Sequence, residues 1–158
     1  MSQALIWQDH FSVGHTGLDN EHRSMIDAIN AICEGERTDK GGSDLGSRYE
    51  SLRALSSSHF EHEELVLNTI QSYARTEPSF PGSIEGMSEA MFGEHFQDHG
   101  QAIDVLGSLI SRSRENGAPL CEDLTSWFVS HAVKYDAHLK AVFQGMHNDC
   151  PALFRKLP

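Results

Sequence analysis

Apolar residues along most of this chain recur at intervals of three and four, the spacing of a helix with one buried face, and the alternating runs expected of strands are scarce. The first stripe passes through Leu18, His22, Met25, Ile26, Ile29, Ile32 and Cys33 and predicts a helix over about 18–36, closed by Gly35 and the Gly41/Gly42 pair. A second, over about 43–75, opens at the N-cap candidates Ser43 or Asp44 and stops before Pro78 and Pro81. It carries Leu52, Leu55, His59, Glu63, Val66, Leu67 and Ile70 inward. The third spans about 83–115, with Met91, Phe92, His95, His99, Ala102, Ile103, Leu106 and Ile110 on its stripe and Asn116 and Gly117 at its end. The fourth covers about 119–147, starts at Pro119, a residue suited to a first turn, and carries Leu120, Leu124, Trp127, Phe128, His131, Tyr135 and Leu139. Short connections favour antiparallel neighbours, so the pattern predicts an all-α, up-down-up-down four-helix bundle behind an N-terminal arm at 1–17. One domain suffices for 158 residues. The stretch from Thr76 to Glu94, with its prolines and glycines, reads as a connection longer than a simple turn, which a surface loop tolerates cheaply.

Ionisable residues break these stripes where a core leucine would be expected. His59 and Glu63 are four apart, and so are His95 and His99, which places each pair one turn along one face; His22 and His131 are in phase with the apolar residues of their own helices. Buried carboxylates and unpaired imidazoles cost several kcal/mol each, so together they would unfold a marginally stable domain unless something compensated them. A metal compensates all of them at once. Five imidazoles exceed what one ion takes, and two ions bridged by carboxylates would use the whole set, in the kind of core where bundles build such centres. Nitrogen and oxygen donors admit iron, copper, zinc or manganese.

Composition narrows the alternatives. A formal charge of −11 with no basic cluster argues against nucleic acid and anionic membrane surfaces as partners. No apolar run is long enough to insert in a bilayer, and the first residues lack the pattern of a secretory signal, so a cytoplasmic location is expected. Cys33, Cys121 and Cys150, odd in number and widely spaced, read as buried or idle thiols. No glutamate is followed by a histidine three residues later, which excludes the ferritin-like ligand pattern, and no HExxH motif supports a zinc protease.

With a histidine on the first helix followed by HxxxE, HxxxH and HxxxxD, the chain resembles the hemerythrin family, and its single-domain bacterial members in particular. The stretches that carry the likeness are SVGHTGLDNEH (Ser12 to His22), HFEHEE (His59 to Glu64), EHFQDH (Glu94 to His99) and WFVSHAVKYD (Trp127 to Asp136). The resemblance implies a non-haem di-iron centre cycling between Fe2+ and Fe3+. His95, His99 and His131 would hold one iron and His22 and His59 the other, with Glu63, Asp136 and an oxo or hydroxo group bridging them. His131 and Asp136, five apart, lie about 140° around an ideal helix, which predicts a π-type bulge or kink between them. His138, seven from His131, is a rival ligand.

The resemblance further implies reversible dioxygen binding at the iron with fewer ligands, for carriage, storage or delivery, rather than enzymatic turnover. Met25, Phe60, Trp127, Phe128 and Ala132 sit where an oxygen-pocket wall is expected, although plain core packing would use the same residues. Ala132 is smaller than the aliphatic residue expected there and suggests a roomier pocket. Alternatives are an oxygen or redox sensor acting through a signalling protein, and a redox enzyme handling peroxide, ferrous ion or nitric oxide. A protein partner of the carrier would be an oxygen-using enzyme. The remaining histidines, His10, His15, His62, His138 and His147, are expected on the surface or in loops.

Overall fold

Each long helix buries one stripe, and the stripes meet in an all-α antiparallel bundle. The structure, a computed structural model, describes the backbone of residues 4–38, 44–134 and 136–158, with side chains at 85–91 and 137 outside the described set. The elements are α1 (Thr16–Thr38), α2 (Asp44–Thr76), α3 (Gly82–Asn116), α4 (Cys121–Lys134), α5 (Asp136–Asp149) and the short α6 (Pro151–Phe154), preceded by a 3-10 turn at Asp9–Phe11. No strand occurs among the described residues. Cross-helix contacts fix the direction of each neighbour. Arg48 bonds the Ala31 carbonyl, Arg114 lies 2.7 Å from Glu50, and the Trp127 indole N–H donates to the Ala102 carbonyl at 3.0 Å. Rising numbers on one helix meet falling numbers on the next, as an up-down-up-down bundle requires.

The apolar core falls into two clusters. One gathers Met25, Ile29, Leu52, Phe60, Leu106, Leu124 and Phe128; the other gathers Leu18, Val66, Ile70, Phe92, Leu139, Phe143 and Met146. The eight buried polar side chains among the described residues are Ser56 and the seven candidate ligands. These ligands occupy the level between the clusters on every long helix: His22 between Leu18 and Met25 on α1, Glu63 between Phe60 and Val66 on α2.

Several expectations change. Leu55, assigned inward, is 37% exposed and turns away from the core. The stretch 76–94 is a short connection at 77–81 followed by helix, because Phe80, Ile84 and Phe92 bury themselves in the cluster around Leu139 and Phe143, and that packing outweighs the local glycines. Ile84 comes so close to Gly145 on α5 that a Cβ there would meet its side chain at 3.2 Å. The fourth helix starts two residues after Pro119, where Glu36 of α1 accepts the Leu120 and Cys121 amides at 2.7 and 3.2 Å and caps it from outside. Cys33 and Cys121 are joined as a disulfide, with Cα atoms 4.9 Å apart. The end of α1 and the start of α4 are brought together by the antiparallel packing, which the spacing of the cysteines along the chain did not disclose. Cys150 is the free, buried thiol. Ser43, Gly41, Gly42 and Tyr135, and the side chain of Met91, lie outside the described residues. Gly117 ends α3 in the left-handed conformation, φ 68°, as its place after Asn116 predicts. No described helix is long and apolar enough to cross a membrane.

Candidate metal centre

All seven predicted ligands are buried at one level of the bundle, and their inward atoms converge. His22 Nε2 stands 3.1 Å from His59 Nε2 and 3.0 Å from Asp136 Oδ2. Glu63 Oε2 is 3.1 Å from His95 Nε2 and 2.9 Å from His99 Nε2, while its Oε1 is 3.8 Å from His59 Nε2. His131 Nε2 lies 3.1 Å from Asp136 Oδ2. Two donor groups result, one of His22, His59, Glu63 and Asp136 and the other of Glu63, His95 and His99, with Glu63 common to both. Asp136 Oδ1 reaches to 4.0 Å from His95 Nε2, so this carboxylate also faces both groups. His131 approaches the second group through Asp136, its ring centroid 5.7 Å from that of His99.

His131 and Asp136 both face the centre although an ideal helix would turn them apart. They belong to different elements, α4 and α5, and the bulge or kink predicted between them falls on Tyr135, outside the described residues. The rival ligand His138 is exposed, as are His10 and His147.

The outer nitrogens of four imidazoles show what these rings are set up to do. His22 Nδ1 is 2.8 Å from the Phe11 carbonyl, His59 Nδ1 2.9 Å from Glu21, His99 Nδ1 3.0 Å from Glu64 and His131 Nδ1 3.3 Å from Asp98. A neutral imidazole that donates from Nδ1 presents the Nε2 lone pair on its other side, which is the arrangement of a metal-ligating histidine. Inside, these lone pairs meet carboxylate oxygens, and Glu63 Oε1 and both Asp136 oxygens are buried without a well-formed hydrogen bond. Lone pairs facing lone pairs in a dry layer repel unless a cation lies among them. Five imidazole nitrogens and two carboxylates therefore fit two borderline divalent cations such as iron, manganese or zinc.

Sequence reasoning missed the carboxylates behind the rings. Glu21, Glu64 and Asp98 each adjoin a candidate ligand on their own helix and orient a histidine on the next one, α1 to α2, α2 to α3 and α3 to α4. The available signal was the acidic residue immediately beside His22, Glu63 and His99.

Without a metal, protons take up the repulsion. Burial opposes a charge on His131, but the Asp136 and Asp98 carboxylates outweigh it and push the imidazole up to about 10. Burial and the Glu63 charge raise Asp136, yet His131 and His22 prevail and hold it at about 2. His22 and His95 are also raised, against burial, by Asp136 and Glu63 respectively. At that value the His131 imidazole keeps its proton at neutral pH, and a metal must displace it. Loading the metal-free protein with Zn2+ or Co2+ at pH 7 is therefore expected to release protons, that of His131 among them, with affinity rising as pH rises towards the His131 value. Calorimetry in two buffers of different ionisation enthalpy measures the release, and a value of zero would contradict the protonated resting site.

A family model described as the hemerythrin HHE cation-binding domain matches residues 13–143. No solved structure matches the chain.

Proposed function

The chain belongs to the hemerythrin family, and from that premise we propose that it holds two iron ions and binds dioxygen reversibly, as a carrier, store or delivery protein for an oxygen-using enzyme. The observation that carries this reading is the layer of inward imidazole lone pairs around two buried carboxylates, closed above and below by apolar clusters. In the proposed assignment His22 and His59 hold the iron with fewer ligands, His95, His99 and His131 hold its partner, and Glu63 and Asp136 bridge, with an oxo or hydroxo group completing the centre. Iron in such a site supplies the electrons that dioxygen takes up on binding and returns on release.

The chain's own residues keep the surroundings dry. Phe60 stacks on His99 with ring centroids 4.4 Å apart, and Phe128 meets the His22 ring edge-on at 5.7 Å. Met25, Trp127 and Ala132 are buried in the same cluster. Near them, the buried Ser56 hydroxyl is committed to the Leu52 carbonyl at 2.8 Å. Glu21, Glu64 and Asp98 lie behind the imidazoles and accept hydrogen bonds there. A wall that, among the described residues, offers no uncommitted proton donor suits holding oxygen better than cleaving it, since protonation promotes loss of reduced oxygen.

Reducing the iron-loaded protein without oxygen and then admitting air tests the proposal. Two irons per chain and a visible absorption that appears with oxygen and fades when oxygen is removed are expected. Irons that oxidise at once with no reversible absorption would replace the carrier reading with a redox enzyme or sensor.

A further inference from the structure

His62 was expected to be an idle surface histidine, yet it is half-buried and held on both ring nitrogens. Its Nδ1 lies 2.7 Å from Glu21 Oε1 and its Nε2 3.2 Å from the backbone oxygen of Pro158. The other Glu21 oxygen, Oε2, is the one that accepts from His59. One carboxylate thus bridges a histidine of the metal layer and a histidine outside it. Glu64 and Asp98 serve as single acceptors for His99 and His131 in the described contacts, so this bridge distinguishes the His22/His59 side of the centre.

We infer that Glu21 and His62 form a positioning pair that sets how strongly His59 donates to its metal, an inference that rests on the di-iron reading. The geometry supplies the mechanism. A carboxylate that accepts from two N–H groups pulls less on each than one that accepts from a single donor. With His62 in place, Glu21 fixes the His59 ring and tautomer while its pull on the His59 proton is moderated. With His62 removed, the whole acceptor strength falls on His59, whose Nε2 becomes a stronger donor and favours the ferric state. With Glu21 replaced by a neutral amide the pull weakens, and the ferrous state gains. The backbone oxygen of Pro158 fixes His62 in turn, and Leu157 and Phe154 hold that terminal segment by packing on the second core cluster.

The test compares the parent with His62→Ala, His62→Gln and Glu21→Gln after iron loading. Metal content is read first: a parent without two irons would overturn the di-iron reading itself. Given two irons, oxidation of the reduced protein in air is expected to be on the order of threefold faster in His62→Ala and on the order of threefold slower in Glu21→Gln. Reduction potentials should move in the matching opposite directions, and His62→Gln, whose amide can donate to Glu21, should return towards the parent. A merely structural pair would shift both variants the same way, and that result, or unchanged potentials in both, overturns the inference. Proton NMR of the zinc-loaded protein gives an arm independent of iron. The His59 Nδ1–H resonance is expected to move in His62→Ala and to return in His62→Gln; an unmoved resonance overturns the bridge whatever the iron does.

Discussion

Glutamine in place of Glu63 is expected to remove most of the bound metal and to leave the metal-free bundle less stable than the parent. Among the described residues Glu63 is the carboxylate common to both donor groups, and it is fully buried. Two charged oxygens become one neutral carbonyl and an amide N–H2. The carbonyl is a poor bridge, and the amide presents hydrogens to nitrogens whose lone pairs a cation needs. Metal content after desalting should fall to about one ion per chain or less, with affinity lowered by on the order of a hundredfold or more. Metal-free stability should fall too. In that state the imidazoles of His59, His95 and His99 hold the Glu63 carboxyl far below the usual carboxylate range, against its own burial, so its charge contributes stability at neutral pH. A neutral amide gives up that contribution and leaves protonated imidazoles in the layer short of a counter-charge. The thermal midpoint of the parent should therefore rise on adding metal, by the linkage of a ligand that binds only the folded form, and that of Glu63→Gln should hardly respond. A variant that keeps two ions would remove Glu63 from the bridge.

The bundle and the metal layer were legible in the sequence for one physical reason. A histidine or carboxylate in phase with leucines has no tolerable environment inside a core unless it is paired, so six such residues on four stripes point to a shared cation, and Asp136, off the fourth stripe, was added by the family resemblance. What escaped lies one residue off the stripes. Glu21, Glu64 and Asp98 are turned about 100° from the ligands they adjoin, where acidic residues look like an ordinary solvated face. Only the packing of neighbouring helices shows that they back His59, His99 and His131. Leu55 erred in the opposite sense, being apolar and near the stripe yet 37% exposed. The stretch 76–94 read as a long connection, yet only 77–81 lies between helices, since Phe80, Ile84 and Phe92 are held by packing in the cluster that includes α5, remote in sequence. His62 looked idle because its partners, Glu21 and Pro158, are 41 and 96 residues away.

Cys33 and Cys121 lead to the second large effect. Their bond closes a loop of 88 residues that contains α2 and α3, so its main action is on the unfolded chain, whose ends it keeps together. The chain-entropy argument gives about 4–5 kcal/mol for a loop of that length, and measured disulfides commonly deliver about 2–4 kcal/mol. For a domain of this size reduction should then lower the thermal midpoint by about 10 °C. A Cys33→Ser, Cys121→Ser protein should reproduce that loss and no longer respond to reductant. Thiol titration of the unfolded protein gives an independent count: one reactive thiol, Cys150, before reduction, and all three cysteines after it. The metal layer should be indifferent. His22 and His131 lie about three helical turns from the bridged cysteines, roughly 15 Å along α1 and α4, and the Glu36 carboxylate still caps α4 when the bond is open. Reduced and oxidised protein should therefore hold the same number of ions and release the same number of protons on loading. Loss of metal on reduction would mean that the bond positions α4, and with it His131, and an unchanged midpoint would mean that the two thiols stay apart in solution.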